Sequence, residues 1–481
     1  DMTVIRPNSI SGVSSITGSG GDISIFRADG TAADLIVNNV TTGIVTATTF
    51  VGGHSGNGAN LTNLPAGNLT GTVADARLTT VSSSKLSGAL PALDGSALTG
   101  VGASFGNSSV NTSGIITATA FVPTTGQLSH RNLIINGAMQ VAQRGTSDSS
   151  TNGYGTVDRF GLIRSGVDEN PTQEQVNVAS GTSPYTLGFR KAFKVTNGNQ
   201  TGGVGGNDYI SMRYKIEAQD IANSGWNYTS ATNFVTMSFW VKSSVAQNFY
   251  GYFYTHDGTP QGYSFETGSL TANTWTKVVL KIPGNSNLQF DNQSDSGLDI
   301  YISQFWGINR TDPGKSLNSW AAYNGAARMP DFTSTWYTTN DATFEITGVQ
   351  LEVGSVATPF EHRSFAQEAL LCKRYYQQIV GNSDLVMFGS GRASGTSNAI
   401  VSTHLAVPLR ASPTISSLNY TGWGVSNSFA ASNKTPVAIN FDSTHNQLNL
   451  NYDGLGGQLT NARTATVSCS GGSTLTMDSE L

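Results

Sequence analysis

Aromatic side chains are nearly absent from the front quarter of this chain. Residues 1–130 hold only Phe26, Phe50, Phe105 and Phe121, whereas six of the seven tryptophans fall between Trp226 and Trp336. A segment without large side chains cannot fill an ordinary globular core. It either remains a linker or buries its small apolar residues against copies of itself. The rest of the chain carries enough rings for at least one sizeable core. Its 481 residues predict two to four domains at roughly 100–200 residues each. The 55 glycines, with abundant Ser, Thr and Asn, favour turn-rich β structure over long helices.

Charge excludes several functions. Only 12% of residues are charged and the formal net charge is −5, against about 25% charged in ordinary proteins. Lys and Arg never cluster beyond two adjacent residues, so no surface is prepared to neutralise phosphates and no nucleic-acid partner is expected. No run of about 18 apolar residues exists, so membrane insertion is not expected, and the amino terminus lacks the basic-then-apolar order of a secretory signal. Cys372 and Cys469 are the only cysteines. They are too few for a disulfide scaffold, though one bridge between them is open at this stage.

Periodicity decides the fate of the front segment. Residues 41–51 read TTGIVTATTFV and residues 112–122 read TSGIITATAFV, near repeats whose alternation suits a strand. Between them lie GANLTNLPAGNLTGTVADARL (58–78) and SKLSGALPALDGSALTGVG (84–102), with Leu or Val recurring at a mean spacing of four residues from Leu61 to Val101. The spacing is too irregular for a heptad seam, and Pro65, Pro91 and many glycines oppose a long helix. These units resemble the repeats of phage tail-fibre shafts over roughly residues 40–125. The resemblance implies a homotrimer, which fits a thin chain that can dry its interior only by meeting other chains on an axis. The axial candidates are Leu61, Leu64, Leu69, Val73, Leu78, Leu86, Leu90 and Leu98.

Near His130 the composition turns aromatic and strand-like. FVTMSFWVKSS (234–244), QNFYGYFYTHDG (247–258), WTKVVLKIPG (275–284) and LDIYISQFWGI (298–308) are bounded by turn residues and predict a β-sandwich. NLIINGAM and FEITGVQLEV are also strand-like. RNLIINGAMQVAQRGTS (131–147), TVDRFGL (156–162) and FEITGVQLEVGSVATPFEHRSFAQEALLCKRYYQ (344–377) together resemble the jelly-roll, carbohydrate-binding-like domain of phage fibre and other virion proteins. The stretch 364–379 is the best helix of the chain, with Ser364 and Gln367 in capping-box positions. Residues 381–481 return to short alternating segments and predict a smaller distal β domain.

Catalytic chemistry finds little support. The six histidines, at 54, 130, 256, 362, 404 and 445, include no HxxxH pair for zinc. Asp442, Ser443 and His445 read as a surface loop and not a triad, since no GxSxG elbow surrounds a serine. GSGG (18–21) and GGVGG (202–206) lack the lysine of a phosphate loop and read as turns. Asp291, Asp295 and Asp299 offer oxygens for a structural calcium but miss the calcium-loop spacing, so no cofactor is expected and a solvated turn is the simpler reading. A sugar site needs a ring plate beside hydrogen-bonding groups. Trp320 and Tyr323 in NSWAAYNGAARMP, with Trp336 and Tyr337 in TSTWYTTND, lie in polar stretches without strand alternation and are the ligand-binding candidates. Trp240 and Trp306, flanked by strand residues, read as core.

The expected architecture is mainly β. An elongated homotrimeric fibre would carry an N-terminal attachment segment (1–40), a thin repeat shaft (41–129), a jelly-roll β-sandwich domain (130–362), a helical linker (363–380) and a C-terminal β domain (381–481). The resemblance implies a virion location, made in the host cytoplasm, with other virion proteins as partners of the N-terminal segment and a host surface glycan or lipopolysaccharide as the target of adsorption. No catalytic residue and no metal ligand is assigned. The rivals are a structural virion appendage of head, neck or baseplate whose jelly roll mediates assembly, and, further off, a host-polysaccharide depolymerase.

Overall fold

The computed structural model describes residues 129–380, most of 386–481 and the isolated positions 29, 31 and 49. The chain divides into two compact units, Asp1–Ser113 and Gly114–Leu481. In the first, Asp29 Oδ1 accepts from the Thr31 backbone N–H at 3.0 Å and its hydroxyl at 2.6 Å, closing a short turn. Apart from the isolated positions and Ser129, the attachment segment, the shaft and its eight axial candidates lie outside the described residues.

In the second unit, twelve strands precede residue 354. They are β1 Ser147–Asp148, β2 Phe160–Ser165, β3 Thr172–Asn177, β4 Lys191–Thr196, β5 Tyr209–Glu217, β6 Phe234–Ser243, β7 Asn248–Thr255, β8 Gln261–Ser269, β9 Thr276–Pro283, β10 Ser296–Trp306, β11 Trp320–Ala322 and β12 Thr343–Val353. Sheet I has the order β1-β3-β4-β12-β6-β9 and sheet II the order β11-β8-β7-β10-β5-β2. All pairings are antiparallel and the chain passes repeatedly from one sheet to the other, which makes a two-layer sandwich. Its dry interior joins Phe193, Met237, Phe239, Val241, Phe344 and Ile346 of sheet I to Ile210, Met212, Phe253, Phe265, Ile300 and Ile302 of sheet II.

The segment RNLIINGAM is not a strand. Its asparagines replace ladder bonds: Asn132 Oδ1 accepts from Ile134 N and Leu351 N at 3.0 Å each, while Asn136 Nδ2 donates to Val141 O at 2.8 Å and Asp158 O at 2.9 Å. Asn136 sits at φ 61°, a left-handed conformation that Asn tolerates. A Cβ on Gly137 would lie 2.0 Å from Val349 O, so the backbones touch there only because that side chain is missing.

The expected helix exists as Phe365–Cys372 and ends seven residues earlier than its apolar spacing predicts. Ser364 Oγ accepts from Gln367 N, and Gln367 Oε1 accepts from Ser364 N, forming the capping box. Tyr376–Val380 is instead a strand paired with Thr474–Asp478. Its exchange of state follows from what lies above it: the Arg144 guanidinium covers the Tyr376 ring at 3.8 Å and that of Arg159 covers Tyr375 at 3.4 Å. Cys372 is a free, buried thiol, and the side chain of Cys469 lies outside the described residues.

The C-terminal part contributes a three-stranded sheet, Tyr376–Val380, Thr474–Asp478 and Thr414–Asn419, and a seven-stranded sheet around Val386–Ala393. A second core of Val401, Leu448, Leu450, Tyr452, Val467 and Met477 holds them. They are fastened to the sandwich by charge. Arg159, 1% exposed, and Arg144 both pair with Glu480, and Arg144 also reaches Asp478 at 2.9 Å. Arg410 donates to Ser294 O at 3.0 Å and Ser479 O at 2.8 Å.

Candidate functional site: the outer face of sheet II

Strand parity sorts the side chains of sheet II. Ile210, Met212, Tyr214 and Ile216 of β5 point into the core, so Tyr209, Ser211, Arg213 and Lys215 take the outer face. On β7, Phe249 and Phe253 are buried inward with Gly251 between them, which turns Tyr250, Tyr252 and Tyr254 outward. On β10 a register shift between Ser303 and Phe305 keeps Phe305 in the core and sends Trp306 outward beside Asp299 and Tyr301. Register aligns Arg213, Tyr301, Tyr252 and Ser264 in one row across four strands.

The result is a pavement of rings in which Tyr209, Tyr250, Tyr254, Tyr301 and Tyr323 are half-buried, while Tyr252 and Trp306 are buried among them. Tyr252 stacks on Tyr301 with centroids 4.4 Å apart and planes 5° apart, and meets Trp306 edge-on at 6.4 Å. Trp306 stacks on Tyr209 at 4.3 Å and 11°, and its Nε1–H donates to Ser303 Oγ at 3.0 Å. The long connection after β10 lays Tyr323 over Tyr254 at 4.3 Å and places the Arg328 guanidinium 4.6 Å from the Trp306 ring. Each such ring pair contributes roughly 0.5–1.5 kcal/mol beyond burial. The pavement is therefore preorganised.

Polar groups punctuate it. Asp299 is gripped by His256 at 3.0 Å, Lys215 at 3.7 Å, the Ser296 hydroxyl at 2.5 Å and the Tyr301 hydroxyl at 3.1 Å. Burial pushes this carboxyl up, but the close approach of His256 and the charge of Lys215 outweigh it and leave the group below the usual carboxylate range. Burial together with Asp299 pushes the Tyr301 phenol well up, so it stays a donor. Arg328 Nε donates to Tyr323 Oη at 2.6 Å, yet Arg328 Nη1 is buried without a hydrogen-bond partner, and so is Arg213 Nε. Two guanidinium N–H groups beside the rings are thus enclosed without a partner, a cost of about 1–3 kcal/mol each.

The four sequence candidates, Trp320, Tyr323, Trp336 and Tyr337, do not fall together. Tyr323 does lie on this face. Trp320 does not: it pairs with Tyr263 in register, turns toward the core edge and donates from Nε1 to Pro283 O at 2.7 Å. Trp336 and Tyr337 are 0% and 1% exposed on the short helix Thr335–Thr338 and have no face to offer a ligand. Trp336 Nε1 donates to Thr343 O at 3.1 Å, and Tyr337 stacks on Phe305 at 4.3 Å and donates to Asp208 Oδ2 at 3.1 Å. Their polar neighbours concealed this because a single helical turn has no alternation to read. Trp306 is buried as expected, but on the outer face, and Trp240 is half-buried beside an outer cleft. The signal that was available is NFYGYFYT, where Tyr occupies one parity and Phe or Gly the other.

The acidic run also regroups. Asp299 faces the pavement, and Asp257 takes its place beside Asp291 and Asp295, with one carboxylate oxygen from each within 4.8 Å of the others. Asp257 is raised by burial and by its two neighbours, although its Oδ2 accepts from Asp291 N at 3.1 Å. These are the oxygens a hard cation such as calcium would use.

No family model matches the sequence, and no curated protein matches it. Among solved structures, similarity is found to the enzymatically active domain of tailspike protein 4 of bacteriophage CBA120, with 10% identity, 46% of this chain and 21% of that chain covered, and a TM-score of 0.25. A putative sugar-binding protein from Bacteroides thetaiotaomicron gives 12% identity, 47% and 100% coverage and a TM-score of 0.24. The family 11 carbohydrate-binding module of Clostridium thermocellum, in complex with a mixed-linked tetrasaccharide, gives 12%, 44% and 98%, and 0.20. The chain spans only about a fifth of the tailspike domain, and TM-scores this low carry no argument about function.

Proposed function

We propose that this chain is a non-catalytic fibre protein of a phage virion that adsorbs to a host-surface glycan through the outer face of sheet II. The observation that carries the binding reading is the tyrosine pavement with the half-buried Arg213, Lys215 and Arg328 side chains beside it. Sugar rings present an apolar face to such a surface and hydroxyls to such donors. The fibre reading draws on the shaft-like repeats of residues 40–125. A trimer would raise the effective concentration of the second and third faces once one has bound, so weak single-site affinity suffices for adsorption.

Glycan-array binding by the full chain, followed by competition for virus attachment to host cells, tests this. Tyr254→Ala, at a half-buried ring of this face, should lower affinity for the captured glycan about tenfold or more while the fold is retained, and the intact chain should block attachment. Binding that survives both Tyr254→Ala and Arg328→Gln would remove the site from this face. A folded chain that binds no glycan and leaves attachment unchanged would favour an assembly role, and release of reducing ends from host polysaccharide would favour a depolymerase.

A further inference from the structure

The opposite sheet carries a separate cleft that this reading does not use. It has a volume of about 390 Å³, within the ~300–1,000 Å³ of small-molecule sites. Trp240 on β6 lines it together with Phe189, Phe360 and His362. Phe189 meets Phe360 edge-on at 4.9 Å, Phe360 meets His362 at 4.9 Å, and His362 Nε2 donates to Leu187 O at 2.9 Å, which fixes the ring. Gly348, at φ +64°, lets Phe189 lie against bare backbone, because a Cβ there would stand 2.6 Å from the ring.

Lysines on the outer face of this sheet differ in their partners: Lys281 has no ion pair among the described residues but lies over the Phe234 ring at 3.9 Å, away from the cleft lining. Lys194 and Lys242 on the same outer face are each neutralised by a glutamate, at 2.6 Å to Glu174 and 2.8 Å to Glu345. Lys277, the cross-strand partner of Trp240 and part of the cleft lining, is exposed and has no ion pair among the described residues. Neither the Trp240 indole N–H nor the Ser238 hydroxyl, both in the cleft, makes a hydrogen bond among the described residues. The site therefore offers a ring plate, two neutral hydrogen-bonding groups and one uncompensated cation. Its complement is a ligand with an apolar ring face, hydroxyls and one negative charge.

We propose that the Trp240–Lys277 cleft is a second sugar site that takes an anionic pyranose, with Trp240 stacking on the ring and Lys277 pairing with its acidic group. The acid can be the carboxylate of a uronic acid or the phosphate ester of a phosphorylated sugar, which share this chemistry. The site lies on the other sheet and on other residues than the tyrosine pavement, so it stands independently of that reading.

The test is tryptophan fluorescence and calorimetric titration of the full chain with glucuronate oligosaccharide, glucose 6-phosphate and neutral gluco-oligosaccharide. The acidic ligands should bind at least fivefold more tightly than the neutral one, and the preferred acid identifies the source. Lys277→Gln, an exposed strand position where folding is not at stake, should abolish that preference, and Trp240→Phe should weaken the acidic ligand severalfold and reduce the fluorescence response. Tyr254→Ala should leave acidic binding unchanged, which separates this cleft from the opposite face. Equal binding of acidic and neutral sugars, or an acid preference that survives Lys277→Gln, would overturn the proposal.

Discussion

Asp158 shows how one buried acid sets a pH dependence. Burial pushes its carboxyl up to about 6, against 3.8 unperturbed, although Gln143 donates to it through both N and Nε2 and Arg144 stands 3.8 Å away. The sign follows from where protons are released. Between pH about 4 and 6 the unfolded chain has lost this proton while the folded chain keeps it, so the group lowers stability as pH rises through that window. Above about 6 both states are ionised and the loss is constant, on the order of 2–3 kcal/mol. Asp158→Asn cannot titrate, so thermal melts at pH 4, 5, 6 and 7 should show a decline in the native chain that the variant lacks. Parallel curves would place the carboxyl in a more solvated setting than its 0% exposure implies.

At the level of elements, Gly137→Ala should cost more than about 2 kcal/mol, because the added methyl meets a strand backbone that cannot withdraw; denaturant unfolding measures it. A loss under 0.5 kcal/mol would mean that β12 yields. This position also shows what the sequence made legible. β6, β7, β9, β10 and β12 were readable because each alternates or carries β-branched and aromatic residues between turn signals. The same rule misread NLIINGAM, where Asn132 and Asn136 bond through side chains to residues as distant as Leu351. It also carried a helix past Cys372, since nothing local in KRYYQQI announces that Tyr375 and Tyr376 will lie under two arginines from far upstream. Tyr323 was legible as a surface ring from its loop; Tyr252 and Tyr301 needed pairing registers that no periodicity supplies.

For the molecule as a whole, the axial assignment of the shaft is open to direct test. Leu61→Asp, Leu69→Asp or Leu86→Asp would place a charge on a dry axis, and light scattering with thermal melting should show a smaller mass and a lower transition. An unchanged trimer with an unchanged melting point would remove those leucines from any axis. Mainly β organisation was legible from composition alone, because Gly, Ser, Thr and Asn outweigh strong helix formers. The fastening of the C-terminal sheets to the sandwich was not, since Arg159 and Glu480 are 321 residues apart and each reads in isolation as an ordinary surface charge. That separation has a consequence for synthesis. At about 5–20 residues per second, the ribosome delivers Glu480 on the order of 15–65 s after Arg159. Until then the nascent sandwich holds the Arg159 charge with the Lys215 carbonyl and the Tyr214 ring but with no carboxylate to neutralise it. The corner around Arg159 therefore gains its neutralising partner only when the end of the 474–480 stretch has been made, together with the strand Thr474–Asp478.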